Sequence, residues 1–423
     1  MDLATHVDAD RLRTDIERNG EFGAVGGTDH GRTNRAGSEA NREAREYLVS
    51  RLEAAGLAVR VDRVGNVVGR WTPASADPDA APVASGSHLD SVPEGGIFDG
   101  PLGVYAALEA VRAMQDAGVE PDRPVEVVSF TEEEGATFAS GLLGSSVAVG
   151  ERSVEEALAF TDERGRTLGE ALADIGFAGE GRLDAGEWDA WLELHVEQHT
   201  ELEREGVPVG VVTDVTGITH CEAIVEGEAN HAGSTPMGRN ERTDALAAAS
   251  EVVLAVEDAA ELRTGEDPAA VGTVGSLTVS PNATNVVPGR VEMGVDVRSV
   301  ERESMEHLVR ETEAALADVA ATRGVETTFD RGFDLEPTPM AERCRSALRE
   351  AGERAGIATR EMHSGAAHDS MYLARVTDAG MLFAPSRDGV SHNPAEWTDW
   401  EDCADATRVL TAALADLAEG DSD

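Results

Sequence analysis

Along the first half of the chain, short continuous apolar runs alternate with segments in which apolar residues recur every three to four positions. Residues 82–88, 125–130 and 186–199 carry short apolar runs that predict buried strands. Residues 38–55 and 100–118 carry apolar side chains every three to four positions, as amphipathic helices do. Strands that alternate with helices predict the α/β class, with a mixed, mostly parallel sheet flanked by helices.

The pattern changes near residue 216. The alternating stretches 216–230 and 270–300 predict strands, and amphipathic helical patterns follow at 242–260 and 304–324. This order is typical of a small α+β domain inserted into the α/β domain. We therefore predict a first part of the α/β domain at residues 1–215, the inserted domain at 216–325, and a second part of the α/β domain at 326–423.

Candidate metal-binding side chains stand where the predicted strands end. His88, His195 and the run Glu132–Glu134 each close an apolar strand, and His392 lies in a loop after a fourth. Taken singly, they also fit loop residues, a core histidine or a solvated charge run. Together they favour a metal site, because strand ends meet at one sheet edge and adjacent carboxylates repel one another without a cation. Imidazoles and carboxylates are ligands for zinc or manganese.

The net charge of the chain predicts the environment in which the protein works. The chain has 81 Asp and Glu against 35 basic residues, all of them arginine, for a formal net charge of −46. Such a chain repels itself in dilute salt, whereas molar salt shortens the Debye length to about 3 Å. The charge therefore predicts adaptation to a high-salt cytoplasm. It argues against nucleic-acid and anionic-membrane partners, which require a basic face.

Two further features agree with a cytoplasmic protein. The first 20 residues are acidic and lack the basic start and continuous apolar stretch of a signal peptide. The three cysteines, Cys221, Cys344 and Cys403, are scattered, so they predict neither a disulfide framework nor a metal-cysteine spacing.

Seven ordered motifs resemble one enzyme family over about residues 20–415. They are similar to the amidase, hydantoinase and carbamoylase branch of the M20 metallopeptidase clan, which includes N-carbamoyl-L-amino-acid hydrolases, allantoate amidohydrolases and β-ureidopropionases. The motifs are "GSHLDSVPEGGIFDGPLGV", "SFTEEEGATFASGLLGS", "LELHVEQ", "NHAGSTPM", "PNATNVVPGRVEMGVDVRS", "SGAAHDSMYLA" and "GVSHNPAEW".

The resemblance implies two divalent metal ions per subunit, zinc in the first place, with manganese or cobalt as alternatives. His88, Asp99 and His195 match the ligands of one ion. Asp99, Glu134 and His392 match those of the second, so Asp99 would bridge the pair. The glycines around Asp99 would let it turn back beside His88.

The resemblance also implies roles for residues beside the ions. Glu133 matches the general base, and Asp90 would accept a hydrogen bond from the ring of His88. Glu132 matches no role. His368 and Asp369 lie in a motif that departs from the usual pattern, and we assign them no ligand role.

Substrate-binding roles fall mostly on the inserted domain. His231 matches a residue that stabilises the developing oxyanion, and Arg298 one that binds a carboxylate. Asn285 and Gln198 match residues that bind polar groups of the substrate. His220 stands where allantoate-cleaving relatives have arginine, which disfavours allantoate. Arg298 also fits a surface ion pair, and His231 an exposed loop residue.

The function that the resemblance implies is hydrolysis of an N-carbamoyl L-amino acid or related ureido acid, a small molecule, with release of ammonia and carbon dioxide. It also implies a homodimer through the inserted domain. The alternatives are an allantoate amidohydrolase, an aminoacylase or dipeptidase of the same clan, and a binding protein without catalysis. Glu133 disfavours the last, because a binder needs no base beside its ions.

Overall fold

The chain divides into two units, which we describe separately. The structure, a computed structural model, describes residues 3–27, 30–138, 141–238 and 241–419. Unit 1 comprises Met1–Thr213, Pro339–Met362 and His368–Asp423, and unit 2 comprises Asp214–Thr338 and His363–Ala367.

The elements before unit 2 alternate between helices and strands. They are α1 (Ala9–Gly20), α2 (Glu39–Ala54), β1 (Ala58–Val61), β2 (Val67–Trp71), β3 (Val83–His88), α3 (Pro101–Ala117), β4 (Val125–Phe130), α4 (Leu143–Ala148), α5 (Val154–Ala159), α6 (Leu168–Asp174), β5 (Ala190–Val196), α7 (Glu201–Glu205) and β6 (Val209–Val215).

Four long strands and two long helices follow in unit 2, and further strands and helices then complete unit 1. The elements that follow are β7 (Gly217–Glu226), β8 (Asn230–His231), α8 (Ala245–Arg263), β9 (Val271–Ser280), β10 (Val286–Val287), β11 (Arg290–Ser299), α9 (Arg302–Arg323), β12 (Glu326–Leu335), β13 (Thr338–Pro339), α10 (Glu342–Ala355), β14 (Thr359–Ser364), α11 (Ser370–Leu373), β15 (Asp378–Ala384) and α12 (Trp400–Ala418).

A nine-stranded sheet forms the centre of unit 1. Its order is β1-β2-β4-β3-β5-β15-β6-β13, and β14 pairs with β6. The four central strands β4, β3, β5 and β15 run parallel, while β2 and β6 join them antiparallel. All residues of β3, β4 and β5 are buried, as expected for strands covered on both faces.

Helix α3 lies close against these strands and is buried over most of its length. A Cβ atom at Gly103 would come 2.3 Å from the carbonyl oxygen of Leu194, so only glycine permits this approach of helix to sheet. Helices α1 and α12 cover its other side. This packing fixes the start of α3, and therefore the residues that precede it, against the ends of β3 and β5.

Unit 2 is built on a four-stranded antiparallel sheet of order β12-β7-β11-β9. Helices α8 and α9 pack together and contribute Val252, Val256, Leu308 and Leu316 to its core. The sequence pattern assigned residues from 326 onward to the α/β domain. The structure instead has β12 in unit 2, because its residues pair with β7 in register from Glu326 opposite Glu226.

The predicted fold class is confirmed: a mostly parallel sheet flanked by helices, together with a separate unit of antiparallel sheet and helices. The short helices α4, α5 and α6 were not predicted, because six or seven residues are too few to display a helical period. Among the helices of the described ranges, none is long and apolar enough to cross a membrane.

Candidate active site and metal centre

The carboxyl ends of three parallel strands bring the candidate ligands of unit 1 together. His88 is the last residue of β3, and His195 is the last but one of β5. The run Glu132–Glu134 follows β4 after a single residue. His88 pairs in register with Phe130, so these strands end at the same level of the sheet. Parallel pairing alone therefore converts positions far apart in sequence into one cluster.

Asp99 joins the cluster from the loop between β3 and α3. Its Oδ1 atom lies 3.5 Å from Nε2 of His88 and 3.2 Å from Nε2 of His195. Gly100 has a φ of 83°, and a Cβ atom there would come 2.5 Å from the ring of His88. The loop can therefore bring Asp99 against the imidazole only with glycine at position 100.

A second group of three shares Asp99 with the first. Nε2 of His392 lies 3.5 Å from Oδ2 of Asp99 and 3.3 Å from Oε2 of Glu134. His392 has a φ of 52°, unusual for a residue other than glycine and frequent at functional sites. In each group, one candidate ligand atom per residue lies within 4.8 Å of the others. The geometry thus offers two three-residue groups with one common carboxylate.

The histidine tautomers suit metal binding. Nδ1 of His88 lies 3.1 Å from the carbonyl oxygen of Asp90, and Nδ1 of His195 lies 3.0 Å from that of Val196. A carbonyl only accepts, so Nδ1 carries a hydrogen, and Nε2 is the nitrogen that faces the cluster and would bind an ion once it is deprotonated. Nε2 of His88 and Oε1 of Glu134 are buried and form no hydrogen bond within the described residues, as metal ligands would.

The charges of the cluster also fit cations. Burial and the charge of Asp99 raise the pKa of Glu134 to about 8. Burial raises the pKa of Glu133 well above its usual range. Burial opposes ionisation of Asp99 as well, but the imidazoles of His195 and His88 outweigh it and hold its pKa well below the usual range. The raised pKa values mean that protons neutralise the excess of buried carboxyl groups. Bound divalent cations would neutralise the same groups in place of the protons.

The three adjacent glutamates have different surroundings. Glu134 belongs to the second ligand group, whereas Oε2 of Glu133 lies 3.7 Å from Nε2 of His88 and outside both groups. Oε1 of Glu132 accepts hydrogen bonds of 2.5 and 2.6 Å from the backbone N–H groups of Thr137 and Phe138. Glu132 therefore stabilises the turn that follows, and Glu133 remains at the cluster without belonging to either group.

Asp90 contacts His88 through its main chain. Its carbonyl oxygen accepts from Nδ1 of the imidazole. Its carboxylate oxygen Oδ1 lies 3.8 Å from the same nitrogen. The carboxylate accepts from the backbone N–H groups of Glu133, at 3.3 Å, and Glu134, at 3.2 Å. Asp90 thus orients both the imidazole and the glutamate loop.

Gln198 points at the carboxylate of Asp99, which the two groups share. Its Nε2 donates to Oδ2 of Asp99 over 2.9 Å, and its φ is 58°. The hydroxyl of Ser391, which precedes His392, donates to the same oxygen over 2.7 Å. The resemblance led us to expect that Gln198 binds substrate, whereas here its amide contacts Asp99.

His368 and Asp369 are buried beside the first ligand group. The ring of His368 lies 4.6 Å from that of His195. Burial and the charge of Glu193 raise the pKa of Asp369 to about 8. Glu193, also buried, accepts from the hydroxyls of Ser87 and Ser370. These residues form a polar layer beneath the cluster.

A third group with ligand spacing, Glu197, His199 and Glu201, is already engaged in local structure. The carboxylate of Glu197 accepts from the N–H of Glu201 at 2.6 Å and from that of Leu202 at 3.2 Å. It therefore caps the start of α7, and this group serves as a control for the others.

Unit 2 places His231 on an exposed strand end. The N–H groups of Gly233 and Ser234 donate to its Nδ1 over 3.1 and 3.2 Å. Nδ1 therefore carries no hydrogen, and the neutral ring carries it on Nε2. An Nε2–H donor is the form that an oxyanion requires. The main-chain carbonyl of Asn285, an exposed residue, accepts from Ala232 and holds the same turn.

Arg298 lies on β11 with its guanidinium fixed by Asp296. Nε donates to Oδ1 over 2.9 Å and Nη2 to Oδ2 over 3.1 Å, a two-point pair. Nη1 donates to the carbonyl of Gly365. Nε2 of His220 lies 2.9 Å from Oδ2 of Asp296. The ion pair left open by the sequence is therefore present, and it leaves Arg298 one-third exposed.

Four residues of the site had no predicted role: the buried Arg32, Glu193 and Glu396, and the half-buried Ser391. Glu193 interrupts the apolar run "AWLELHV", and Glu396 follows the candidate ligand His392 by four residues. A charge inside a buried strand is the only signal that the sequence carried for Glu193. Arg32 carried none, because its partners lie some 60 residues away.

The chain is similar to several characterised proteins over nearly its full length. It is 39% identical over 412 residues to an N-carbamoyl-L-amino-acid amidohydrolase of Paenarthrobacter aurescens, covering 96% of this chain and 97% of that protein. An allantoate amidohydrolase of Bacillus subtilis is 36% identical over 380 residues, 89% and 90% of the two chains. A hydantoinase/carbamoylase family amidase from Burkholderia multivorans superposes with a TM-score of 0.91 at 38% identity, over 97% and 98%.

These similarities show the class of protein: the chain is a hydrolase of carbon–nitrogen bonds. It belongs to peptidase family M20/M25/M40, whose sequence pattern matches residues 84–416.

The two ligand groups predict different losses of metal. Because Asp99 belongs to both groups, Asp99→Ala is expected to release both ions, whereas His392→Ala should release one. His199→Ala is the matched control and should retain both. Metal content after dialysis, measured by plasma emission spectrometry, checks this. Equal metal content in the Asp99→Ala and His199→Ala proteins would contradict the assignment.

Proposed function

We propose that the protein is a dinuclear metal-dependent amidohydrolase that cleaves an N-carbamoyl L-amino acid or a related ureido acid. The observation that carries the proposal is the pair of ligand groups that share Asp99, with Glu133 beside them and outside both. Zinc is the ion we propose first, and manganese and cobalt suit the same ligands. The relatives named N-carbamoyl-L-amino-acid amidohydrolase support this substrate class.

Glu133 performs the proton transfers in this proposal. Bound divalent ions would supply Lewis acidity that lowers the pKa of an attacking water toward neutrality. Glu133 takes the proton of that water as its oxygen adds to the carbamoyl carbon. The carbon–nitrogen bond then breaks, and Glu133 returns the proton to the leaving nitrogen. This cleavage leaves a carbamate, which breaks its remaining carbon–nitrogen bond in water, so the products are ammonia, carbon dioxide and the free amino acid.

Residues of unit 2 bind the substrate in the same proposal. The Nε2–H of His231 donates to the oxyanion that forms at the carbamoyl oxygen. Arg298, oriented by Asp296, binds the substrate carboxylate, and Asn285 a polar group. His220 shares Asp296 with Arg298, so it borders the carboxylate site.

Replacing Glu133 with Gln tests the base directly. Glu133→Gln keeps the size of the side chain but cannot accept a proton, so turnover should fall by about 10²–10⁴-fold while metal content stays at the wild-type value. The assay measures ammonia from N-carbamoyl L-amino acids, β-ureidopropionate, allantoate and dipeptides. Wild-type turnover by Glu133→Gln would contradict the role of this residue, and release of amino acids from dipeptides alone would favour a dipeptidase.

The carboxylate site has a matched control on its own strand. Arg298→Lys keeps the positive charge but loses the planar guanidinium and with it one charge-assisted hydrogen bond to the substrate. A bond of about 1.5 kcal/mol corresponds to a rise in KM of about tenfold. Arg290→Lys, on the same strand and paired with Glu226 and Glu292, should leave KM unchanged. Steady-state kinetics distinguish the two variants, and an equal KM for both would remove Arg298 from the substrate site.

We also propose that unit 2 forms a homodimer. Strand β9 is an edge of its sheet, and Val271 and Leu277 on it are 46% and 41% exposed. The neighbouring α8 exposes 57% of Leu254 and 80% of Leu262. An edge strand with apolar side chains offers main-chain groups to a second copy.

High salt is the proposed working condition of this dimer. Two chains of formal net charge −46 repel each other in dilute salt, and molar salt screens that repulsion. We therefore place the protein in a high-salt cytoplasm.

One sedimentation experiment tests dimer and salt together. In molar KCl the wild type should sediment at twice the mass of one chain, and it should dissociate as the salt is diluted. Leu254→Gln should weaken the dimer, whereas Val376→Gln, a 40% exposed position in unit 1, should not. A monomer at every salt concentration would contradict the proposed dimer, and a dimer stable in dilute salt would contradict the salt dependence.

A further inference from the structure

We propose that Arg32 and Glu396 are positioning residues that hold the main chain of Asp99 from opposite sides and so set the affinity of both metal ions. This inference rests on the proposed dinuclear site. It assigns a function to two fully buried charges that neither bind a candidate ion nor act on the substrate.

Arg32 binds the loop that carries His88 and Asp99. Its guanidinium donates to three main-chain carbonyls: those of Gly96 at 2.7 Å, Leu89 at 2.9 Å and Asp99 at 3.2 Å. Its own N–H donates to the carbonyl of Gly95 over 2.8 Å. Binding three carbonyls in different directions requires a guanidinium, whose N–H donors are held in a fixed plane. A lysine side chain has no such group.

Glu396 binds the same loop through its N–H groups. Its Oε1 accepts from the N–H of Phe98 at 3.0 Å and from that of Asp99 at 3.1 Å. Its Oε2 lies 3.0 Å from Oγ of Ser391, the hydroxyl that donates over a shorter distance to Asp99. A Cβ atom at Gly96 would come within 2.1 Å of Oε1, so this glycine makes room for the carboxylate.

The two side chains together fix the peptide groups on either side of Asp99. The N–H of Asp99 is bound by a buried anion and its C=O by a buried cation. Because the carboxylate of Asp99 belongs to both ligand groups, a small rotation of its backbone would displace a ligand of both ions at once. Outer hydrogen bonds to ligands typically change metal affinity by about 10–100-fold.

Arg112 provides a matched control. It is a buried arginine of unit 1 that pairs with Asp15 over 2.7 Å. It lies 12 residues beyond Gly100 in α3, about 18 Å along the helix axis, and binds no residue of the Asp99 loop. Arg112→Lys therefore removes a buried fork and leaves the site untouched.

The test is titration of metal-free protein with Co²⁺ in molar salt, for wild type, Arg32→Lys, Glu396→Gln and Arg112→Lys. Cobalt binding and its d–d absorption are followed, and thermal melting is recorded alongside. We expect Arg32→Lys and Glu396→Gln to weaken binding of both ions by about 10–100-fold and to alter the absorption. Arg112→Lys should lower the melting temperature alone, which is all that a purely structural role would do.

Each outcome decides the matter. Wild-type affinity for cobalt in a folded Arg32→Lys protein would overturn the proposal for Arg32, and the same result for Glu396→Gln would overturn it for Glu396. If Arg32→Lys does not fold, Glu396→Gln decides alone. If neither variant folds while Arg112→Lys does, the pair serves folding and the positioning role is refuted. A wild type that binds no cobalt would refute the dinuclear site itself.

Discussion

Burial of several carboxylates beside imidazoles at one sheet edge is the constraint on which the rest of the structure depends. The side chains of Asp99, Glu133 and Glu134 are only 4%, 10% and 5% exposed, so burial opposes their ionisation and each charge opposes the next. Only cations, protons or buried donors make such a cluster stable. Two strands of the sheet supply the imidazoles. The backbone N–H groups of Glu133 and Glu134 donate to the carboxylate of Asp90.

Much of the remaining fold keeps this cluster in place. Gly103 lets α3 approach the sheet, and Gly100 lets the preceding loop carry Asp99 back to His88. Gln198 and Ser391, each close in sequence to a candidate ligand histidine, donate to the bridging carboxylate. The ligands are therefore coupled through Asp99 and not held independently, so a disturbance at one is expected to reach the others.

The sequence predicted the sheet and its chemistry because both leave local patterns. Buried parallel strands such as "VEVVSF" are continuous apolar runs, and a histidine or acid directly after such a run marks a strand end. The convergence of His88 with His195 needs only the rule that parallel strands end together. Motif resemblance added Asp99 to these candidates and assigned Glu134 and His392 to a second ion.

What the sequence did not predict depends on contacts between distant positions. Glu396 binds the N–H of Phe98 across 298 positions, and no local pattern encodes that pairing. Asp90 was expected to accept from the ring of His88, and the atom that accepts is its main-chain carbonyl oxygen, which the sequence does not specify. The residues of β12 were assigned to the α/β domain because no local pattern shows that they pair with β7.

The most direct measurement is anomalous diffraction from crystals grown with cobalt in high salt, recorded on both sides of the cobalt absorption edge. The account predicts two peaks about 3.5–4 Å apart at the carboxyl edge of the parallel strands, both within ligand distance of the Asp99 carboxylate. A single peak in an enzyme that still turns over its substrate, or two peaks with no shared ligand, would contradict it.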